Sequence, residues 1–89
     1  MSQQVAAKIW RCLEQGKHYK SGRASQHSDE YNEERLFFQD GQAIFEQSVH
    51  GRSGSSVHRV PLTKLEFARW LAECASWKRK SLEQWFLGT

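Results

Sequence analysis

Two neighbouring residues, Asp40 and Gly41, constrain the fold of this chain more than any other feature of its sequence. They separate two runs rich in β-forming residues, 35–39 (RLFFQ) and 42–46 (QAIFE). An Asp-Gly pair favours a type I′ turn between antiparallel strands, because both central positions of that turn require positive φ. A two-residue turn also determines which residues of the strands face each other. The predicted pairs are Gln39 with Gln42, Phe38 with Ala43, Phe37 with Ile44, Leu36 with Phe45, and Arg35 with Glu46.

The alternation of side chains along the two strands gives this hairpin two different faces. One face is apolar and is expected to pack against helices; its residues are Leu36, Phe38, Ala43 and Phe45. The other face is mixed, and its residues are Arg35, Phe37, Gln39, Gln42, Ile44 and Glu46.

The mixed face allows two interpretations. Either the terminal helix covers Phe37 and Ile44, or these two side chains form an apolar patch for a protein partner or for a second copy of the chain. Cross-strand pairing of Arg35 with Glu46 would add opposite charges beside that patch. Under the second interpretation, the candidate partner-binding residues are Phe37, Ile44, Arg35 and Glu46.

The sequence before the hairpin divides into a helical and an irregular part. Apolar residues recur at helical spacing over residues 2–15, where Ser2 can serve as the N-cap and Gly16 can end the helix. Residues 17–32 are mostly polar and have no period, which predicts a long mobile loop. Loops of this length inside a domain are either functional or disordered.

Beyond the hairpin, residues 56–60 predict a short third strand that ends before Pro61. Thr63 and Glu66 then have the spacing of a capping box, which predicts a helix that runs to about Ser76.

The end of the chain allows two arrangements. Ser81 and Gln84 could form a second capping box that opens a short terminal helix, or one longer helix could run through residues 78–80. Together these elements predict an α+β fold in the order α-β-β-β-α-α. A three-stranded antiparallel sheet with the helices packed on one face is the simplest such arrangement.

The length of 89 residues is enough for one domain and too short for two, so we expect a single domain over residues 1–89. No run approaches the ~20 apolar residues of a membrane span. The first residues lack the pattern of a signal peptide. We therefore expect no membrane partner and a cytoplasmic location. Cys12 and Cys74 each lie in an apolar helical pattern, which predicts buried thiols.

The sequence contains no strong catalytic or metal-binding motif. Its His and Cys residues do not have zinc-ligand spacing. Residues 51–54 (GRSG) are too short for a phosphate-binding loop. Glu33 and Glu34 are adjacent strand residues, so their carboxylates point to opposite faces and cannot act as a pair. We therefore expect no enzyme activity, no catalytic residue, no metal and no cofactor.

Basic residues are the other candidate binding feature. The formal net charge of +3 permits a polyanion partner without requiring one. Three basic groups contain no acidic residue, and flexible cations of this kind contact phosphates in nucleic-acid complexes. The candidate nucleic-acid residues are Lys17, Lys20, Arg23, Arg52, Arg59, Lys78, Arg79 and Lys80.

Two classes of function follow. The first is a small non-enzymatic binding protein that regulates or inhibits a protein partner through the hairpin. Small inhibitors of the phage or mobile-element type have a similar size and no catalytic motif, which is an analogy of size and not of residues. The second is a nucleic-acid-binding accessory protein that uses the basic loops.

Overall fold

In the computed structural model, the described residues are 3–24 and 29–88. They form three helices and four strands in the order α-β-β-β-β-α-α. The elements are α1 (Gln3–Glu14), β1 (Tyr19–Ala24), β2 (Tyr31–Gln39), β3 (Gln42–Gly51), β4 (Gly54–Leu62), α2 (Lys64–Glu73) and α3 (Ser76–Leu87). The α+β class is the one that the sequence predicts, but the sheet has four strands and not three. Ser2, the predicted N-cap of α1, lies outside the described residues.

The four strands form one antiparallel sheet in the order β1-β2-β3-β4, so each strand pairs with its neighbour in sequence. The β2–β3 hairpin has the predicted register, with Gln39 opposite Gln42 at its tip. Asp40 and Gly41 have φ values of 53° and 78°, as a type I′ turn requires. The hairpin prediction is therefore confirmed at the level of individual residue pairs.

The predicted loop over residues 17–32 is corrected by the structure. Residues 19–24 form β1, which pairs with β2 from Tyr19 opposite Leu36 to Ala24 opposite Tyr31. Tyr19 is the one buried residue of β1, and the rest of the strand is exposed. An edge strand of this kind is held by its hydrogen-bond ladder and shows no apolar alternation in its sequence. Residues 25–28, also within the predicted loop, lie outside the described residues.

The third predicted strand is longer than residues 56–60. As β4, it begins at Gly54 and continues through Pro61 to Leu62. A proline cannot donate a ladder hydrogen bond, but β4 lies at the edge of the sheet, where the missing N–H can face away from β3. The sheet position, which is a tertiary property, is what allows the strand to run past Pro61.

The capping box at the start of α2 is confirmed. The backbone N–H of Glu66 donates to Thr63 Oγ1 at 3.2 Å, and the backbone N–H of Thr63 donates to Glu66 Oε1 at 2.9 Å. Hydrogen bonding with Thr63 holds the pKa of Glu66 below its ordinary value. The bond with the Thr63 backbone contributes most to this shift, and the bond with its side chain contributes less.

The end of α2 and the start of α3 differ from both predicted arrangements. α2 ends at Glu73 and α3 begins at Ser76, so the predicted capping pair Ser81 and Gln84 lies inside α3. Cys74 and the following residue are extended, with ψ values of 152° and 146°. The guanidinium of Arg79 donates to the carbonyls of Ala72 (3.0 Å) and Cys74 (2.5 Å) and so satisfies acceptors at the end of α2.

The hydrophobic core combines helix residues with sheet residues that share one side of the strands. We call that side the inner face and the opposite side, which carries Phe37 and Ile44, the outer face. Phe38 packs against the core with its ring 5.4 Å from that of Trp10. The core residues are Ala6, Ile9, Trp10, Leu13, Tyr19, Leu36, Ala43, Phe45, Leu62, Phe67, Leu71, Leu82 and Phe86. Within the described residues, no helix has the length and apolar character needed to cross a membrane.

Candidate functional site

The outer face carries the four residues that the sequence proposes for partner binding. Phe37 lies opposite Ile44, and Arg35 lies opposite Glu46. The guanidinium carbon of Arg35 is 4.8 Å from the centroid of the Phe37 ring, within the range of a cation–π contact. Phe37 and Ile44 are half-buried and do not belong to the core. The terminal helix α3 contacts α1 and β1, and its buried side chains belong to the core.

Glu46 is the centre of an ion-pair cluster on the outer face. Its Oε1 accepts a hydrogen bond from Arg35 Nη1 at 3.2 Å, and its Oε2 accepts one from Arg59 Nε at 2.6 Å. The Glu46 side chain is only 5% exposed, whereas those of Arg35 and Arg59 are 42% and 62% exposed. The carboxylate therefore lies beneath the two guanidinium groups and orients them. Glu46 contributes to this surface through the arginines that it holds.

A row of charged residues crosses the outer face at the level of Glu46. Lys20 of β1 lies beside Arg35, and Arg59 of β4 lies beside Glu46. Lys20 Nζ is also 3.9 Å from Glu33 Oε2, and the lysine is far more exposed than this carboxylate. In this row, the acidic side chains are more buried than the basic side chains that pair with them. We call Lys20, Arg35 and Arg59 the cationic row.

A second aromatic area lies on the outer face further from the hairpin turn. The rings of Tyr31 and His50 stack with their centroids 6.5 Å apart. Tyr31 leans across Gly22 of β1, where a Cβ atom would clash with the tyrosine hydroxyl. The glycine therefore allows the Tyr31 ring to lie flat against the edge strand. The outer face thus presents aromatic or aliphatic area on both sides of the cationic row.

The eight candidate nucleic-acid residues do not form one surface. Lys20 and Arg59 lie on the outer face, and Arg23 lies on the inner side of β1. The others are distributed over the α1–β1 connection (Lys17), the β3–β4 turn (Arg52) and α3 (Lys78, Arg79 and Lys80).

Several of these basic residues have intramolecular partners. Lys78 Nζ donates to Glu34 Oε2 at 2.9 Å, and Arg52 Nε lies 2.5 Å from Asp29 Oδ2. Lys17 Nζ donates to a carbonyl of α3 at 3.5 Å, and Arg79 caps the end of α2. The acids come from elements distant in sequence, which is why the basic groups look unopposed in the linear chain.

The inner face extends beyond the core and forms the floor of a groove of about 920 Å³. The first turn of α3 forms one wall through Trp77. Two rows of side chains cross the floor from β1 to β4. The first row is Ser21, Glu34, Gln47 and His58. The second row is Arg23, Asn32, Val49 and Ser56. We call this feature the inner groove. Of its residues, the sequence analysis singled out Arg23 alone as a binding candidate.

Trp77 is a binding candidate that the sequence analysis missed. It lies in the first turn of α3 and is 66% exposed. Trp77 precedes the buried Leu82 by five residues, which places it about 140° away around the helix axis. The offset can be derived only for a helix that includes Trp77, and the predicted arrangement with a helix start at Ser81 leaves this residue out. Trp85 is also exposed, yet its ring contacts Tyr19 at 5.3 Å.

The two cysteines are free and partly buried. Burial raises the pKa of the Cys74 thiol, and the nearby charges of Lys78 and Arg79 oppose this rise in part. Cys12 Sγ lies 3.8 Å from the carbonyl oxygen of Phe86. In the described part of the chain, no group of three or more His, Cys, Asp or Glu could hold a metal ion.

Among the described residues, the outer face and the inner groove each have the chemistry of a binding site. The outer face combines cations with apolar side chains, and the inner groove combines an exposed indole with polar groups. Comparison of the chain with protein-family models, with curated proteins and with solved structures finds no significant match.

Proposed function

We propose that this chain is a small non-enzymatic protein that binds a protein partner through the outer face and thereby regulates or inhibits it. The observation that supports the proposal most directly is the cationic row beside the pair Phe37 and Ile44. We also infer that the helices pack on the inner face only, which leaves the outer face accessible to a partner.

The chemistry of the outer face favours a partner with acidic groups around an apolar centre. Arg and aromatic residues are enriched in the central parts of protein interfaces, whereas Lys and Glu are depleted there. Glu46 is buried, so the groups that a partner meets first are the exposed ends of Arg35 and Arg59. Such complementarity raises association rates and selects against basic partners.

The arginines of this surface are held in place before a partner arrives. Arg35 is fixed between the Glu46 carboxylate and the Phe37 ring, and Arg59 is fixed by the same carboxylate. Side chains that are already ordered lose less conformational entropy on binding. The outer face therefore has the properties of a preformed recognition surface.

Nucleic-acid binding through the basic loops is less well supported. Arg52 of the β3–β4 turn pairs with Asp29. Lys78 binds Glu34 and so joins α3 to the sheet, and Arg79 caps the end of α2. Phosphate binding by these residues would compete with those contacts.

The proposal is tested with the full chain as bait in a native lysate, with and without nuclease. The double variant Phe37→Ser with Ile44→Ser is compared with Leu65→Ser, which changes an exposed leucine on α2. We expect nuclease-resistant capture of a protein by the native chain and by Leu65→Ser. We expect the double variant to weaken the affinity for that protein, once purified, by more than about tenfold, ~1.4 kcal/mol.

Arg59→Gln provides a second test that does not disturb apolar packing. It should weaken binding and reduce its dependence on salt. Equal loss of binding by Leu65→Ser, or capture that nuclease abolishes, would contradict the proposal. Sedimentation of the purified chain identifies the case in which the partner is a second copy: the native chain would then be a dimer and the double variant a monomer.

A further inference from the structure

The inner groove is built from groups that the proposed function does not use. Its floor is formed by side chains of all four strands, and most of them are polar, among them Ser21, Asn32 and Ser56. Its wall is the first turn of α3, which is held to the floor by the 2.9 Å contact between Lys78 and Glu34. A sheet floor beside a helical wall is a preformed cleft, and its volume of about 920 Å³ is within the range of ligand sites.

The charged residues that line the inner groove are Arg23, Glu33 and Glu34, and Glu33 Oε2 lies 3.9 Å from Lys20 Nζ. Glu34 is the acid on the inner side of the floor. Lys78 Nζ, at 2.9 Å, neutralises its charge, and Gln47 Nε2 donates a hydrogen bond to it at 3.2 Å. Arg23, at the β1 side, has no carboxylate partner among the residues that the structure describes. The groove therefore retains one cation that is free to bind an anion.

Trp77 gives the groove a flat apolar surface. The residue is 66% exposed, and the Lys78 ammonium lies 5.6 Å from the centroid of its ring. The adjacent Lys78 is anchored to Glu34, so the backbone that carries Trp77 is fixed relative to the floor. An exposed indole above polar groups is a platform on which a planar ring can stack.

We propose that the inner groove binds a short segment of single-stranded nucleic acid. A base stacks on Trp77, a backbone phosphate binds Arg23, and polar floor residues such as Asn32 and Gln47 donate and accept hydrogen bonds with base edges. The site is distinct from the outer face and does not depend on the proposed protein partner. This mode of binding also differs from binding through basic loops, because it depends on stacking on one aromatic ring and on phosphate binding by one arginine.

The dimensions of the groove favour a strand over a single nucleotide. Arg23 lies on β1 and His58 on β4, at opposite edges of the sheet. Three strand spacings separate these edges, about 14 Å. A ligand that contacts both edges must extend across the sheet, as consecutive nucleotides do. An extended acidic peptide could also cross this distance, but its carboxylates would not use Trp77.

The test measures fluorescence anisotropy of labelled oligo-dT and oligo-U of about ten nucleotides, a length within the range of single-strand sites. The full chain is compared with Trp77→Ala, Trp77→Phe and Arg23→Gln. We expect Trp77→Ala to weaken binding by about five- to 150-fold, the range for loss of one stacked base, and Trp77→Phe to restore most of it. Arg23→Gln should make the slope of log K against log salt less negative by about 0.7.

Two variants outside the groove are the controls. Leu65→Ala removes an exposed apolar side chain, and Lys80→Gln removes an exposed cation. Both should bind the oligonucleotides as the native chain does. The proposal is overturned if neither oligonucleotide binds at about 50 mM salt, or if Lys80→Gln weakens binding as much as Arg23→Gln. Displacement of the oligonucleotide by an equal concentration of oligoglutamate or of a mononucleotide also overturns it.

Discussion

Lys78 and Lys80 show how much the role of a single residue depends on its surroundings. They are two positions apart on α3 and look equivalent in the sequence. The Lys78 side chain is largely buried, and its ammonium lies 2.9 Å from Glu34 Oε2 and 5.2 Å from the centroid of the Phe45 ring. Lys80 is exposed. Lys78 is therefore a contact between α3 and the sheet, whereas Lys80 is a surface cation.

This difference predicts unequal effects of the same substitution. Lys78→Ala removes a charge-assisted hydrogen bond and leaves Glu34 with a weaker partner, so we expect a loss of about 1–2 kcal/mol in the free energy of unfolding. Lys80→Ala should change it by less than about 0.5 kcal/mol. Urea denaturation followed by circular dichroism measures both. Equal effects, or no coupling between Lys78→Ala and Glu34→Gln in a double-mutant cycle, would show that the contact does not stabilise the fold.

At the scale of elements, the junction between α2 and α3 leaves the start of α3 without a side-chain cap. α2 begins with a full capping box, but α3 begins after Ala75, which provides no side-chain cap. The backbone at Ala75 is extended, with φ −57° and ψ 146°, and is compatible with a residue that caps the helix. The first turn of α3 also lacks an acidic residue to interact with the helix dipole.

Ala75→Asp is therefore expected to stabilise the protein by about 0.5–1.5 kcal/mol. The melting temperature should rise by about 4–8 °C per kcal/mol. Ala72→Asp is the matched control, because it places the same charge near the C-terminal end of α2, where the dipole disfavours it. Thermal unfolding should show opposite signs for the two variants. A decrease for Ala75→Asp would mean that the junction needs its present conformation for another reason.

At the scale of the whole molecule, the sheet extends beyond the hydrophobic core along the direction of its strands. The molecule measures 41 × 27 × 21 Å, and the core residues of β2 and β3, such as Leu36 and Phe45, lie towards the Asp40–Gly41 end of the hairpin. The other half of the sheet carries polar side chains on the inner face. The stability of the strands should therefore decrease along their length.

Amide hydrogen exchange is expected to show this gradient within β3. Each end of β3 has a neighbouring strand on both sides, so hydrogen bonding alone predicts similar protection along it. Because residues 43–46 pack on or next to the core, their amides should exchange more slowly than those of residues 48–51. Exchange measured by NMR under native conditions tests this, and uniform protection along β3 would show that the sheet opens as one unit.

Features that depend on close neighbours in sequence were predictable from the sequence. The Asp40–Gly41 turn, the pairing of Arg35 with Glu46 and the capping box at Thr63 all arise from residues a few positions apart, or from the geometry of one turn. The four candidate partner-binding residues follow from the same register, which is why the sequence placed them on one face.

Other features were decided by contacts between distant parts of the chain. β1 exists because β2 offers it a ladder, although its own residues are polar. Lys78 meets Glu34 across 44 positions, and this contact fixes the turn that carries the exposed Trp77 beside the inner groove. The sequence by itself determined the two-faced hairpin, because local backbone chemistry specifies a turn and its register. Only the tertiary structure decided which residues form the core and which charges are neutralised, because both depend on elements that the chain brings together in folding.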